Sequence, residues 1–143
     1  MAKKKTVPLT AVNKRDEKLV KIPPQTPHST PSWKFSTVDR GGPFQWPEDD
    51  SELIKDIVKK LSNFDSMKWD DIKGIDHHSI PKHKLSKVAQ ERLEEINLDD
   101  IDTVFSLHFN GKKRIIGIKD LNVMKLLWWD QEHEVCPSPK KHT

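Results

Sequence analysis

Val104-Phe105-Ser106-Leu107-His108-Phe109-Asn110-Gly111-Lys112-Lys113-Arg114-Ile115-Ile116-Gly117-Ile118, followed by Asp120-Leu121-Asn122 and Val123-Met124-Lys125-Leu126-Leu127-Trp128-Trp129, is the stretch that decides the fold. Residues 104–109 alternate as a strand does. Asn110-Gly111 is a strong two-residue hairpin signal, because both residues tolerate the positive φ that a tight hairpin demands. Arg114–Ile118 reads as the partner strand, Asp120-Leu121-Asn122 as a second turn, and Val123–Trp129 as a third strand. That third strand is apolar on both faces, which suits a strand that is central or covered by helices. An antiparallel meander therefore forms the C-terminal part of the domain.

Upstream of it the period changes from two to about 3.6. Leu53, Ile54, Ile57, Val58 and Leu61 make one apolar face and predict a helix over 50–63. Acids at 48–52 suit its N-terminus, and Lys59 and Lys60 its C-terminus. Ser66 can cap a short second helix ending before Gly74, with Met67, Trp69 and Ile72 on its buried side. Leu85, Val88, Ala89, Leu93 and Ile96 mark a third helix over 84–96, and Ser79-Ile80-Pro81 reads as its entry turn. Helices followed by a meander predict an α+β fold: two or three helices packed on one face of a C-terminal antiparallel sheet of three or four strands.

The first 47 residues differ in kind. They hold seven of the ten prolines and nine Lys/Arg against three acids, whereas residues 48–143 hold 16 basic and 19 acidic residues. Proline denies residues 22–31 a long helix or a central strand, and the apolar residues of 1–31 are too sparse for a core. Residues 1–31 are expected to be a disordered basic arm. Trp33, Phe35, Phe44 and Trp46 are costly to leave in water, so their segment is expected to dock on the domain, with Trp33–Ser36 as a short strand. The expected organisation is an arm over 1–31, one compact domain over 32–136, and an exposed basic tail over 137–143. The mild acidity of the domain argues against a body built mainly to grip phosphates, but it leaves the arm free to do so.

A chain of 143 residues suits one domain. Its single cysteine, Cys136, excludes an intrachain disulfide and a multi-cysteine zinc site. No apolar run approaches the roughly 20 residues that span a bilayer. Met1-Ala2-Lys3-Lys4-Lys5 lacks the apolar stretch of a signal peptide. A cytoplasmic location is expected, with no membrane association, cofactor or metal.

Two clusters carry candidate chemistry. Lys112-Lys113-Arg114 can bind an RNA phosphate, and Arg114, which opens a strand, can steady charge on a phosphate that is being cleaved; the ordinary reading is a solubilised turn. In Asp130-Gln131-Glu132-His133 the histidine has an ordinary pKa of about 6.5 and can move a proton near neutrality, oriented by Glu132; the ordinary reading is a polar turn after a buried strand. Lys140 and Lys141 of the tail can add RNA contacts. His77, His78 and His83 read as loop residues. Trp128 and Trp129 point to opposite faces of the sheet, and packing is their ordinary role.

The residues from Ser62 to Asp76, His77-His78-Ser79-Ile80-Pro81, Phe105-Ser106-Leu107, Arg114–Ile118 and Leu127-Trp128-Trp129-Asp130-Gln131-Glu132-His133 resemble a group of small bacterial and phage proteins of undefined role that end in a Trp-Trp-Asp-x-x-His pattern. Across roughly residues 50–136, the order of helices and then meander also resembles the RelE/YoeB/ParE toxin superfamily. That resemblance implies a ribosome-dependent RNA-cleaving or RNA-binding protein with an antitoxin-like protein partner. It assigns Arg114 to the basic residue of a middle strand and His133 to the C-terminal histidine. The chain has no tyrosine to take the alternative C-terminal role. The competing expectation is a non-enzymatic interaction protein whose acidic domain binds a protein partner while the basic arm tethers nucleic acid.

Overall fold

The computed structural model describes residues 29–74 and 76–137. The expected disorder of the arm falls almost wholly outside these residues, as do Lys140 and Lys141. The α+β class holds, with three helices and a five-stranded sheet.

The meander is as expected and longer by a residue or so at each end. It comprises β3 (Thr103–Asn110), β4 (Lys113–Asp120) and β5 (Val123–Asp130), all antiparallel. Its first turn is Gly111-Lys112, one residue later than the Asn110-Gly111 signal, because Asn110 pairs with Lys113 and ends the strand. Two further strands extend the sheet. β2 (His78–Pro81) pairs antiparallel with β3 where a helix-entry turn was expected, and Pro81 is tolerated because β2 lies at the sheet edge. β1 (Ser32–Lys34) pairs with β5 in parallel, so the sheet is mixed, in the order β1-β5-β4-β3-β2.

The three helices are α1 (Ser51–Asp65), α2 (Trp69–Ile72) and α3 (Lys87–Glu95). Asp50 caps α1 by accepting from the Leu53 amide, and α1 buries Ile57, Leu61 and Phe64. Lys60 does not serve the end of the helix; its ammonium donates to the Phe109 carbonyl of β3 at 3.0 Å. Ser66 closes α1 instead of capping α2, and its hydroxyl donates to the Asn63 carbonyl. One fully buried residue, Trp69, anchors α2, its indole N–H donating to the Asn122 carbonyl at 2.9 Å. Ser86 caps α3 through the Ala89 amide, and Lys82–Lys84 forms a 3-10 turn before it, which is why α3 starts later than the apolar spacing suggests. Beyond the C-cap Ile96, Asn97 takes left-handed backbone and the Leu98 amide donates to the Leu93 carbonyl, a Schellman closure.

Helices cover both faces of the sheet, not one. On one face α1 and α2 pack over Phe105, Leu107, Phe109, Ile115, Met124, Leu126 and Trp129. On the other, α3 packs over Val104, Ile116, Leu127 and Trp128, joined by Phe44 and Val135. The doubly apolar β5 requires this. A bulge makes it possible: Ile116 pairs with Trp128 and Gly117 with Leu126, so Leu127 is an extra residue and lies on the same face as Trp128. Gly117 is needed there, because a Cβ at that position would sit 2.5 Å from the Lys125 carbonyl oxygen.

The segment before α1 docks along the outer edge of β5. Thr37 Oγ1 donates to the Leu126 carbonyl, the Asp39 amide to the Leu127 carbonyl, and the Trp129 amide to the Phe44 carbonyl. Phe44 and Trp46 are buried, and Phe35 is half-exposed. The packed body begins earlier than residue 32. The Ser29 carbonyl accepts from the Trp69 amide, and Pro31 is buried. No helix among the described residues is long and apolar enough to cross a membrane.

Candidate functional site

The β3–β4 turn and the exit of β5 meet at one end of the sheet, where most of the sequence-derived candidates lie. The register sets the geometry: His108 of β3 is directly opposite Arg114 of β4, which is directly opposite Asp130 of β5. Ile115 belongs to the α1 face and Ile116 to the α3 face, so strand alternation assigns Arg114 to the α3 side. The same reasoning assigns His108 and Asp130 to that side, since their neighbours Phe109 and Trp129 belong to the α1 face.

Arg114 is half-buried, and its Nη1 donates to the carbonyls of Gly111 (2.7 Å) and Lys113 (3.0 Å). Burial lowers its pKa, while the carboxylates of Asp130 and Asp76 act in the opposite direction. Asp130 is 2% exposed, and its two oxygens accept from the Glu134 amide at 2.7 Å and the Val135 amide at 2.9 Å. It therefore fixes the turn that carries Glu132 and His133. His133 is half-buried with φ of 59°, a left-handed backbone that is uncommon for a residue with a side chain.

Glu132 does not orient a histidine in this structure. Its Oε1 accepts from Lys112 Nζ at 2.9 Å, and this hydrogen bond raises the lysine's pKa. Both side chains are more than half exposed, so the pair is screened by water and salt and adds little to stability. Lys113 is half-buried beside Arg114.

Two histidines outside the sequence-derived site adjoin it. The His108 amide donates to His77 Nδ1 at 3.0 Å, and the two rings lie 6.4 Å apart. An accepting Nδ1 fixes the proton of neutral His77 on Nε2. The His77 ring packs edge-on against Phe64 at 5.0 Å. Burial pushes its pKa down, Asp76 opposes this, and His108, Lys60 and His78 add to the lowering. His108 is half-buried, and its own ring makes no hydrogen bond within the described residues. The signal that could have found His108 is its position six residues before Arg114 across a tight hairpin. The signal for His77 is only the β2–β3 pairing, which sequence reasoning read as a loop.

This end of the sheet thus carries His108, Arg114 and Asp130 on the α3 side, with the Lys112–Glu132 pair at the meeting of the two turns, while Lys60 and the His77 ring lie on the α1 side against Phe64. Cross-strand register sets an imidazole residue opposite a guanidinium residue, and that pair of groups can exchange a proton beside a bound anion. Among the described residues no group of three or more His, Cys, Asp or Glu could hold a metal ion. Cys136 donates to the Lys84 carbonyl, and burial raises its pKa. Comparison with known protein families, curated proteins and solved structures finds no match to this chain.

Proposed function

We propose that this protein is a RelE/YoeB-like, toxin-type protein that binds RNA and cleaves it at the β3–β4 end of the sheet. The observation that supports the reading is the cross-strand pairing of His108 with Arg114. Arg114 holds the scissile phosphate. His108 takes the proton of the 2′-hydroxyl as the 2′-oxygen bonds to phosphorus. The phosphorus–5′-oxygen bond breaks, and the leaving oxygen takes a proton from His133. Lys112 and Lys113 hold flanking phosphates, with Lys140 and Lys141 of the tail and the basic arm adding salt-sensitive attachment.

The test is cleavage of messenger RNA on ribosomes by the purified full chain, together with growth arrest on expression. Arg114→Ala and His108→Ala should each reduce cleavage by 100-fold or more. Undiminished cleavage or arrest with both substitutions present would sink the proposal.

A second reading, a non-enzymatic protein whose acidic domain binds an antitoxin-like partner, is favoured by one observation. Glu132, the acid expected to assist His133, is instead committed to Lys112. Retention of a protein partner without RNA, combined with no cleavage by the pure chain, would select this reading.

A further inference from the structure

Away from the candidate site, the segment before α1 and the outer face of α1 enclose a hollow of about 270 Å³. Phe35, Val38, Trp46, Ile54 and Val58 line it. Phe35 is 48% exposed and Val58 52%, although the helical spacing places Val58 beside the buried face of α1. Apolar side chains left open around a hollow are the usual mark of a surface that something covers.

Charge says what kind of occupant fits. A more open hollow that shares Arg40, Trp46 and Glu48 with the first continues over Asp49 and Asp50. Residues 48–58 carry five acids and one lysine. Of the five, Glu48 is paired with Arg40 at 2.9 Å and Glu52 with Lys55 at 3.7 Å, and both pairs are exposed.

We propose that the hollow is the docking groove for this chain's own segment Lys14–Ile22, with Leu19, Val20 and Ile22 entering between Phe35 and Val58 and the basic residues facing the acidic rim. Lys14-Arg15-Asp16-Glu17-Lys18-Leu19-Val20-Lys21-Ile22 is the one stretch of residues 1–28 that combines a run of apolar side chains with four basic ones. Its reach is sufficient. Seven peptide units from Ile22 to Ser29 extend to about 23 Å, and the path back along β1 from Ser29 to Phe35 is about 20 Å. The acids at the start of α1 then face Lys14, Arg15, Lys18 and Lys21, and Lys3, Lys4 and Lys5 of the arm stay outside the docked segment. The inference does not depend on RNA cleavage.

The test is zero-length carbodiimide cross-linking of the full chain at low micromolar concentration, as an equal mixture of ¹⁴N- and ¹⁵N-labelled protein, read by mass spectrometry. The Lys112–Glu132 pair serves as the internal control for folding and reactivity. The expected result is links from Lys18 or Lys21 to Asp49, Asp50 or Asp56 within one isotopic label. Val58→Asp, at an exposed position, should reduce them at least fivefold and leave the Lys112–Glu132 link unchanged. Three results would overturn the proposal: no link from 14–22 while the control link forms; links only between labels, which would make a second copy the occupant; or links indifferent to Val58→Asp, which would mean charge attraction without a groove.

Discussion

Arg92 of α3 grips Asp39 with two prongs, Nε to Oδ2 at 2.8 Å and Nη2 to Oδ1 at 2.7 Å, across 53 positions of sequence. Asp39 is 7% exposed and also accepts from the Trp128 indole at 2.8 Å and the Gly41 amide at 3.2 Å. One carboxylate thus ties the docked N-terminal segment, α3 and β5 together. Such a pair adds little over a well-packed apolar substitute, but removing one partner leaves buried donors unpaired. Asp39→Ala should therefore cost about 3 kcal/mol, measured by urea unfolding of the full chain. A loss below about 1 kcal/mol, the level of an exposed pair, would show that the clamp carries no weight. Gly42→Ala should also destabilise the protein, because a Cβ there would lie 2.4 Å from Arg92 Nε and 2.7 Å from Asp39 Oδ2.

The clamp has a pH signature. The hydrogen bond from Arg92 is the largest influence on Asp39 and lowers its pKa, with burial opposing and the Trp128 and Gly41 bonds assisting. A depressed carboxyl means that the unfolded chain takes up the proton first. The stabilisation is complete above the ordinary aspartate value of about 3.9 and is lost as pH falls through the lower folded value. Urea unfolding of the full chain from pH 5 downward should show this loss, and Asp39→Asn should lack that part of the slope. Parallel slopes for the two proteins would contradict the assignment.

Much of the architecture was legible because it is local. The alternation of Val104–Phe109, the turns that follow it and the spacing of Leu53–Leu61 each encode their element within a dozen residues. What escaped is non-local. Ser79-Ile80-Pro81 becomes a strand only because β3 offers its edge, and a proline in so short a run argues for a turn. β1 could be read as a strand from Trp33, but nothing near it in sequence names β5 as its parallel partner. Coverage of both faces depends on the extra residue Leu127, and a bulge of that kind leaves no mark in the hydrophobic pattern of an already apolar strand. At the candidate site the same limit applies. Arg114 and Asp130 were visible as residue types, whereas the placement of His108 beside Arg114 follows from register, and the ion pair that occupies Glu132 follows from the meeting of two turns.

His77 predicts a second pH effect of distinct origin. Its Nδ1 accepts from the His108 amide, so a proton on that nitrogen would remove the bond. Burial keeps the ring neutral by lowering its pKa. The unfolded chain, titrating near the ordinary value of about 6.5, then binds the proton at a pH where the folded chain does not. Stability is unaffected above that value and falls as pH drops from it toward the folded value. His77→Asn keeps an acceptor near the Nδ1 position and cannot take up the proton, so its stability should fall less than the parent's over that interval. Equal loss in both would assign the effect to other histidines.

Gly117 tests the bulge. A methyl group at residue 117 would meet the Lys125 carbonyl oxygen at 2.5 Å and the Met124 side chain at 2.9 Å, and backbone cannot move aside as a flexible side chain can. Gly117→Ala should cost about 2 kcal/mol, within the range for overpacking. Its damage should include the Trp128 environment, read as a change in near-ultraviolet circular dichroism. A neutral substitution would mean that β4 and β5 separate easily at this point.

Arg114→Lys separates charge from geometry. The guanidinium donates to the Gly111 and Lys113 carbonyls from one nitrogen, which leaves the rest of its planar fork to hold an anion opposite His108. Lysine keeps the charge but offers a single flexible point donor, and it cannot both hold the turn and grip two phosphate oxygens. If the site cleaves RNA, Arg114→Lys should retain most of the salt-dependent RNA affinity while cleavage falls by about 100-fold, as removal of one stabilising donor does elsewhere. Lys112→Ala should do the reverse, weakening binding across sequences and reducing its salt dependence. Equal effects of the two substitutions on binding and cleavage would mean that this end of the sheet attracts RNA by charge alone.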